Sequence, residues 1–224
     1  MSIATESGRT DVPLGRLLFD RLREQLVEGT YPPGSRVPID AIKEEFGVSK
    51  QPVMEALRRL ATMGLVEIVP QSGCVVRQYT QQEARDFFGV FGSFEGDIAA
   101  AAARRHTPEE LVELDHAFEL LHQAEHTPEV AQRSRDYFQY NAGFHRVIHR
   151  MARSPLIADL SQRMWVLSDF LMYGFAGAAP IAGAVDARNH DHDLIRTAIR
   201  DRNDTVARAA MDHHIRSITR LFAD

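Results

Sequence analysis

A single cysteine, Cys74, has no partner for an internal disulfide in these 224 residues, which fits the reducing cytoplasm. With no second cysteine and no histidine near it in sequence, Cys74 reads as a small buried or half-buried apolar residue rather than a redox group. No apolar run approaches the roughly 20 residues that span a bilayer, so no membrane partner is expected. The opening stretch MSIATESGRTDV lacks an apolar core and carries Glu6 and Asp11. It is therefore not a signal peptide, and residues 1–12 read as a disordered lead-in. Nucleophile elbow, Gly-rich phosphate loop and HExxH motif are all missing, which weighs against an enzyme. A basic excess is missing too, because the net charge is −5. Taken whole, that argues against a nucleic-acid partner. Divided along the chain it does not: Met1 to Gln78 holds ten basic and ten acidic residues, and Tyr79 to Asp224 holds sixteen and twenty-one. The deficit belongs to the second part, and a DNA-binding module needs only a local basic face.

What is present is ordinary globular material, with 44% hydrophobic and 25% charged residues. Leu14, Leu17, Leu18, Leu22, Leu26 and Val27 fall at helical spacing, and Gly29 stops that helix near Glu28. Thr30-Tyr31-Pro32-Pro33-Gly34-Ser35 is a turn by composition. A short helix is predicted over Ile39–Phe46, ended by Gly47, and Ser49 is placed to cap a third helix running to Met63. After Gly64 the period becomes two, with β-like runs at Leu65–Val69 and Cys74–Arg77 around the turn Pro70-Gln71-Ser72-Gly73. Three short helices and a hairpin make a winged helix-turn-helix over residues 13–78.

Residues 79–224 show no further strand pattern. Helices are expected at about Gln81–Arg105, Pro108–His126, Pro128–Ala152, Pro155–Tyr173, Val185–Arg202 and Asp204–Phe222. Thr107-Pro108, Thr127-Pro128 and Ser154-Pro155 are repeated start signals, a capping hydroxyl followed by proline at the first helical position. The expected fold class is mainly α: the winged domain plus an antiparallel bundle of about six helices. The stretch Gly174–Gly183 is expected to be a mobile loop or a lid beside a pocket.

In a helix-turn-helix the second helix enters the major groove with its N-terminal side chains foremost. Here the turn is Gly47-Val48-Ser49 and the groove helix opens Lys50-Gln51-Pro52. Ser49 and Lys50 suit phosphate, and Gln51 can present a bidentate amide to adenine. The same residues would also serve as solvated groups capping a surface helix. The strings Pro33-Gly34-Ser35-Arg36-Val37-Pro38, Phe46-Gly47-Val48-Ser49-Lys50-Gln51-Pro52-Val53-Met54-Glu55-Ala56-Leu57-Arg58-Arg59-Leu60 and Gly64-Leu65-Val66 together resemble the GntR regulator DNA-binding domain, with Gly73 as the wing glycine. The resemblance implies a double-stranded DNA operator read by Ser49, Lys50, Gln51, Arg58 and Gly73. Lys50, Met54 and Ser72 stand where that family often has arginine, so operator preference should differ and salt dependence should be shallower.

The remainder resembles the FCD type of effector domain of the FadR-like branch. Asn141-Ala142-Gly143-Phe144-His145 follows its D-x-x-x-H pattern with asparagine in the aspartate's place. His192-Asp193-Leu194-Ile195-Arg196-Thr197-Ala198-Ile199 follows H-x-x-I-x-x-A-I, and Met211-Asp212-His213-His214-Ile215 supplies a third histidine, His214. The resemblance implies that Asn141, His145, His192 and His214 hold a divalent metal, Zn²⁺ first, with Ni²⁺, Mn²⁺ or Fe²⁺ as alternatives. Asn141 and His145, four apart, share one helical face, and a bundle could bring the other two alongside. A small organic acid would then complete the site. The arginine usually one turn before Glu95 is absent, with Phe91 or Gly92 in its place. Arg146, Arg150 and Arg163 become candidates for the carboxylate, with Trp165, Met172 and Tyr173 as pocket walls, though such residues are more often surface or core. His149 could replace Asn141, and His190 or His213 could be mistaken for ligands, in a chain where most of the ten histidines need no role. A homodimer on a pseudo-palindromic operator is expected, with ligand relieving repression. The rival readings are a His-lined pocket without metal, a metal-dependent hydrolase using Asp191 or Glu95 as base, and a scaffold without ligand.

Overall fold

The computed structural model describes residues 14–71 and 73–222. The expected lead-in over residues 1–12 and the departure at Ser72 lie outside the described residues. The chain divides into two compact units, Met1–Arg77 and Gln78–Asp224.

In the first unit α1 (Leu14–Val27), α2 (Ile39–Phe46) and α3 (Lys50–Thr62) precede the antiparallel pair β1 (Val66–Val69) and β2 (Gly73–Val76). Leu18, Leu22 and Leu26 of α1 meet a core with Val53, Leu57 and Leu60 of α3, and Leu65 and Val76 close it. The Pro-Pro-Gly turn is tied to the hairpin: Val37 N–H donates to the Cys74 carbonyl at 2.9 Å, and Val76 N–H to that of Ser35 at 2.9 Å. Cys74 is 1% exposed and burial pushes its thiol up to about 11, so it is an inert core residue.

The second unit is all helical. Its members are α4 (Gln81–Arg105), α5 (Pro108–Glu125), α6 (Val130–Met151), α7 (Pro155–Ala176), α8 (Ala178–Gly183), α9 (Val185–Arg200) and α10 (Asp204–Arg216), followed by a 3₁₀ segment, Ser217–Leu221. The long α4 lies against α10 at close range. A Cβ on Gly96 would sit 2.9 Å from the Arg208 carbonyl oxygen, and one on Gly92 would sit 3.0 Å from that of Asp212. Capping boxes start α4 (Thr80 with Glu83) and α5 (Thr107 with Glu110).

Three local expectations are corrected. The Thr127-Pro128 start is two residues early, because the Thr127 hydroxyl is drawn to Asp136 at 3.1 Å and Glu129 caps Ala131 and Gln132 instead. Gly174–Gly183 is not a loop: α7 runs on to Ala176, Gly177 turns at φ 75°, and α8 buries Ile181 and Ala182. The last helix does not reach Phe222 as an α-helix. The Ser217 and Thr219 hydroxyls bond to the carbonyls of His214 and Arg216, at 2.8 and 2.9 Å, and the chain tightens to 3₁₀ there.

Candidate functional site

The reading helix α3 follows from the turn before it. Gly47 takes the left-handed conformation (φ 62°) and its N–H closes on carbonyls of α2, so the chain reverses within three residues. Ser49 has the extended backbone of an N-cap, but no side-chain hydrogen bond caps the helix. Val53, Leu57 and Leu60 hold the inner face, while Ser49, Lys50, Gln51 and Arg58 are exposed and Met54 is half-buried. Arg59 is used locally, its guanidinium 4.0 Å from the centre of the Phe19 ring. Gly73 opens β2 at φ 99°, a conformation other residues rarely take.

In the second unit three helices bring His145 (α6), His192 (α9) and His214 (α10) together. Ring centroids stand 5.5 Å (His145–His192), 5.5 Å (His145–His214) and 4.2 Å (His192–His214) apart, and one nitrogen of each ring lies within 4.8 Å of the others. The rings are 1%, 0% and 0% exposed. Burial, then neighbouring positive charge, holds all three well below the ordinary histidine range, so they are neutral. Both nitrogens of His145 and both of His192 have no hydrogen-bond partner among the described residues. Each such orphan costs about 1–3 kcal/mol, and a cation is the partner that neutral imidazoles at this spacing can share. The donor set therefore fits a divalent metal.

Asn141 is also buried on α6, but its Oδ1 accepts from the Tyr137 hydroxyl at 3.3 Å. That hydroxyl accepts from Nε of Arg188 at 2.5 Å, and Nη2 of Arg188 donates to Nε2 of His214 at 3.0 Å. The other nitrogen of His214 faces Asp191 Oδ2 at 3.4 Å. Burial raises the Tyr137 phenol, with Arg188 pulling the other way. Arg188 is the side chain at the cluster that the sequence reading did not single out. It lies four residues before His192 on α9, so the same helical-face argument that joined Asn141 to His145 would have found it.

The remaining candidates separate. Arg146, Arg150 and Arg163 are exposed, and Arg150 is paired with Glu113. The long stems of these arginines end in water, where their charge is best solvated. Trp165 stands against the cluster, its ring 4.3 Å from that of His145 and its buried Nε1 without a partner among the described residues. Tyr173 packs against Phe138 with the rings tilted by 35° and their centres 5.6 Å apart, and Met172 is buried. His149 does not take Asn141's place: Nε2 bonds to Glu95 Oε2 at 2.8 Å, and the Ser161 hydroxyl donates to Oε1 of the same fully buried carboxylate. His190 and His213 are exposed. A second cluster lies at the end of α5, with His122 and His126 exposed and Glu125 half-buried.

Comparison with known proteins agrees with both units. Residues 15–76 match the family described as bacterial regulatory proteins, gntR family, and residues 87–217 match the FCD domain. The HTH-type transcriptional repressor RspR of Escherichia coli is 26% identical over 220 residues, 98% of this chain and 92% of that protein. The Uxu operon regulator of Haemophilus influenzae is 26% identical, covering 94% of this chain and 80% of its own length. Among solved structures, E. coli McbR/YncC superposes with a TM-score of 0.71 at 20% identity, over 91% of this chain and 94% of that one. A GntR regulator from Rhodococcus gives 0.72 at 18% identity, over 95% and 100%. No described helix is long and apolar enough to cross a membrane. A winged reader followed by a helical sensor, each matched over nearly its whole length, leaves one assignment: the chain belongs to the GntR family of bacterial regulatory proteins and is a DNA-binding regulator with an FCD effector domain.

Proposed function

We propose that this protein is a cytoplasmic, homodimeric repressor whose effector is a small organic acid bound beside a divalent metal at His145, His192 and His214. The observation that carries the reading is the buried trio His145, His192 and His214 at ligand spacing, two of whose rings have no hydrogen-bond partner among the described residues. When bound, a metal supplies positive charge and open positions for a carboxylate. The chain's own part is to exclude water, keep the imidazoles neutral, and hold His214 with Asp191 behind it. Asn141, tied to Tyr137, would give a weaker oxygen ligand than a carboxylate. The reader then contacts an operator through Ser49, Lys50, Gln51, Arg58 and the wing at Gly73, and two copies in a dimer read two half-sites. Occupancy of the sensor shifts the balance between states that bind DNA differently. RspR is named a repressor and a relative in Paenarthrobacter nicotinovorans, 25% identical, is named a probable D-xylose utilization operon repressor, which supports repression as the sign.

The test is thermal unfolding of chelator-treated protein with Zn²⁺, Ni²⁺, Mn²⁺ or Fe²⁺ added. At 100 times the dissociation constant the native state gains about 2.7 kcal/mol, a readily measured rise in Tm. The rise should vanish in His145→Ala and His214→Ala. No rise with any metal would reduce the cluster to a His-lined pocket.

A further inference from the structure

Arg188 is 4% exposed, yet no ion pair among the described residues includes it. The contrast on its own helix is sharp. Arg196 and Arg200 of α9, both more exposed, have carboxylates: Arg196 meets Asp193 at 2.6 Å and Asp115 at 3.0 Å, and Arg200 meets Asp115 at 2.5 Å. Among the described residues the hydrogen-bond partners of Arg188 are the Tyr137 hydroxyl and the ring of His214. A buried guanidinium with no carboxylate in direct contact is costly, and the nearby Asp191 reaches Arg188 only through the ring of His214. The nearest side chain that could have been acidic in the family pattern is Asn141, reached through Tyr137 and neutral.

The hydrogen bonds add a second point. Asp191 and Arg188 fix the tautomer of His214: Nδ1–H faces the carboxylate, and Nε2 accepts from the guanidinium. Of the three rings, His214 is thus the one whose lone pair is already taken. It can serve a cation only after Arg188 withdraws, and a withdrawn guanidinium needs a partner. Its planar fork matches a carboxylate with two parallel bonds. Trp165 Nε1, a buried donor without a partner among the described residues and packed on His145, offers a further bond on the His145 side of the cluster.

We propose that Arg188 is the residue that binds the carboxylate of the effector, and that doing so frees His214, so that the organic acid and the metal each strengthen the binding of the other. This rests on the reading of the three histidines as a metal centre. The pocket then needs both charges: the anion neutralises Arg188, and the released lone pair completes the nitrogen set. Coupling between two ligands is reciprocal and runs about 5–150-fold in typical cases.

The experiment uses the full-length protein after removal of metal by chelator. Zn²⁺ binding is measured by calorimetry without and with millimolar acetate, lactate or succinate, for wild type, Arg188→Met and Arg188→Lys. In wild type at least one acid is expected to tighten Zn²⁺ within that range. Arg188→Met should bind Zn²⁺ more tightly than wild type without acid, because the competitor for His214 is gone, and should ignore the acids. Arg188→Lys keeps the charge without the fork and should keep part of the response, which guards against a folding defect in the first variant. An equal acid effect in wild type and Arg188→Met overturns the proposal, as does wild-type Zn²⁺ binding that no acid alters. If no protein binds Zn²⁺, the metal reading fails by itself. The role of Arg188 is then judged on thermal shifts with the acids alone: a shift lost in Arg188→Met upholds it, and shifts in both or in neither refute it.

Discussion

Glu95 shows how tightly single side chains in the sensor are committed. It is fully buried on α4, and His149 and Ser161 together satisfy its two oxygens. His149→Ala would leave one buried carboxylate oxygen unmatched, so a loss of about 3 kcal/mol is expected in urea denaturation. A loss below about 1 kcal/mol would mean that water replaces the imidazole freely. The three clustered histidines make a prediction of opposite kind, in pH. Their folded-state values lie far below the ordinary 6.5, so the unfolded chain takes up protons that the folded protein refuses. The stability they allow is fully present above about pH 6.5 and is lost as pH falls further, by up to about 1.4 kcal/mol per unit for each ring. Urea midpoints of metal-free protein between about pH 7 and pH 5 should fall steeply, and less so in His192→Gln. At this scale the three histidines were legible because each sits in a local string with a recognisable neighbour. Spacing alone would also have put Arg188 on the face of His192, but its lack of a carboxylate partner among the described residues is revealed only by the packed structure.

At the scale of elements, the contact of α4 with α10 depends on missing side chains. Gly96→Ala would drive a Cβ to 2.9 Å from backbone oxygen of Arg208, so the helices must part. A destabilisation of about 1–3 kcal/mol is expected. Gly143→Ala, also within a helix, meets nothing within 4 Å and should stabilise by about 0.5–1 kcal/mol. Chemical denaturation of the two variants side by side checks both signs. Most helices could be read from apolar spacing, and the starts at Gln81 and Pro108 from their threonine caps, since both signals are local. What misled was competition. Thr127 carries a capping hydroxyl that Asp136, two turns into the following helix, draws away, and the alanine- and glycine-rich run before Val185 is helical because Ile181 and Ala182 find a core. The second fact is not written in the segment itself.

For the whole molecule, charge is divided between the parts: the acidic excess lies in the sensor, and the reader is neutral overall. On the contacts proposed above its affinity for phosphate would rest on few side chains, so one added charge should be visible. Met54→Arg, on the outer part of α3, is expected to steepen the dependence of DNA affinity on salt by about 1 in log–log slope per added phosphate contact. Fluorescence anisotropy on a selected operator across a salt series measures it, and an unchanged slope would show that position 54 does not reach the backbone. The sealing of the histidine cluster carries a different kind of consequence. Rings that are 0–1% exposed cannot be reached by a diffusing solute until the helices around them open. Entry and exit of the effector proposed above would then wait on that opening. A sensor built in this way would respond late and forget slowly, averaging over brief fluctuations in its signal and keeping a record of a compound that has already gone.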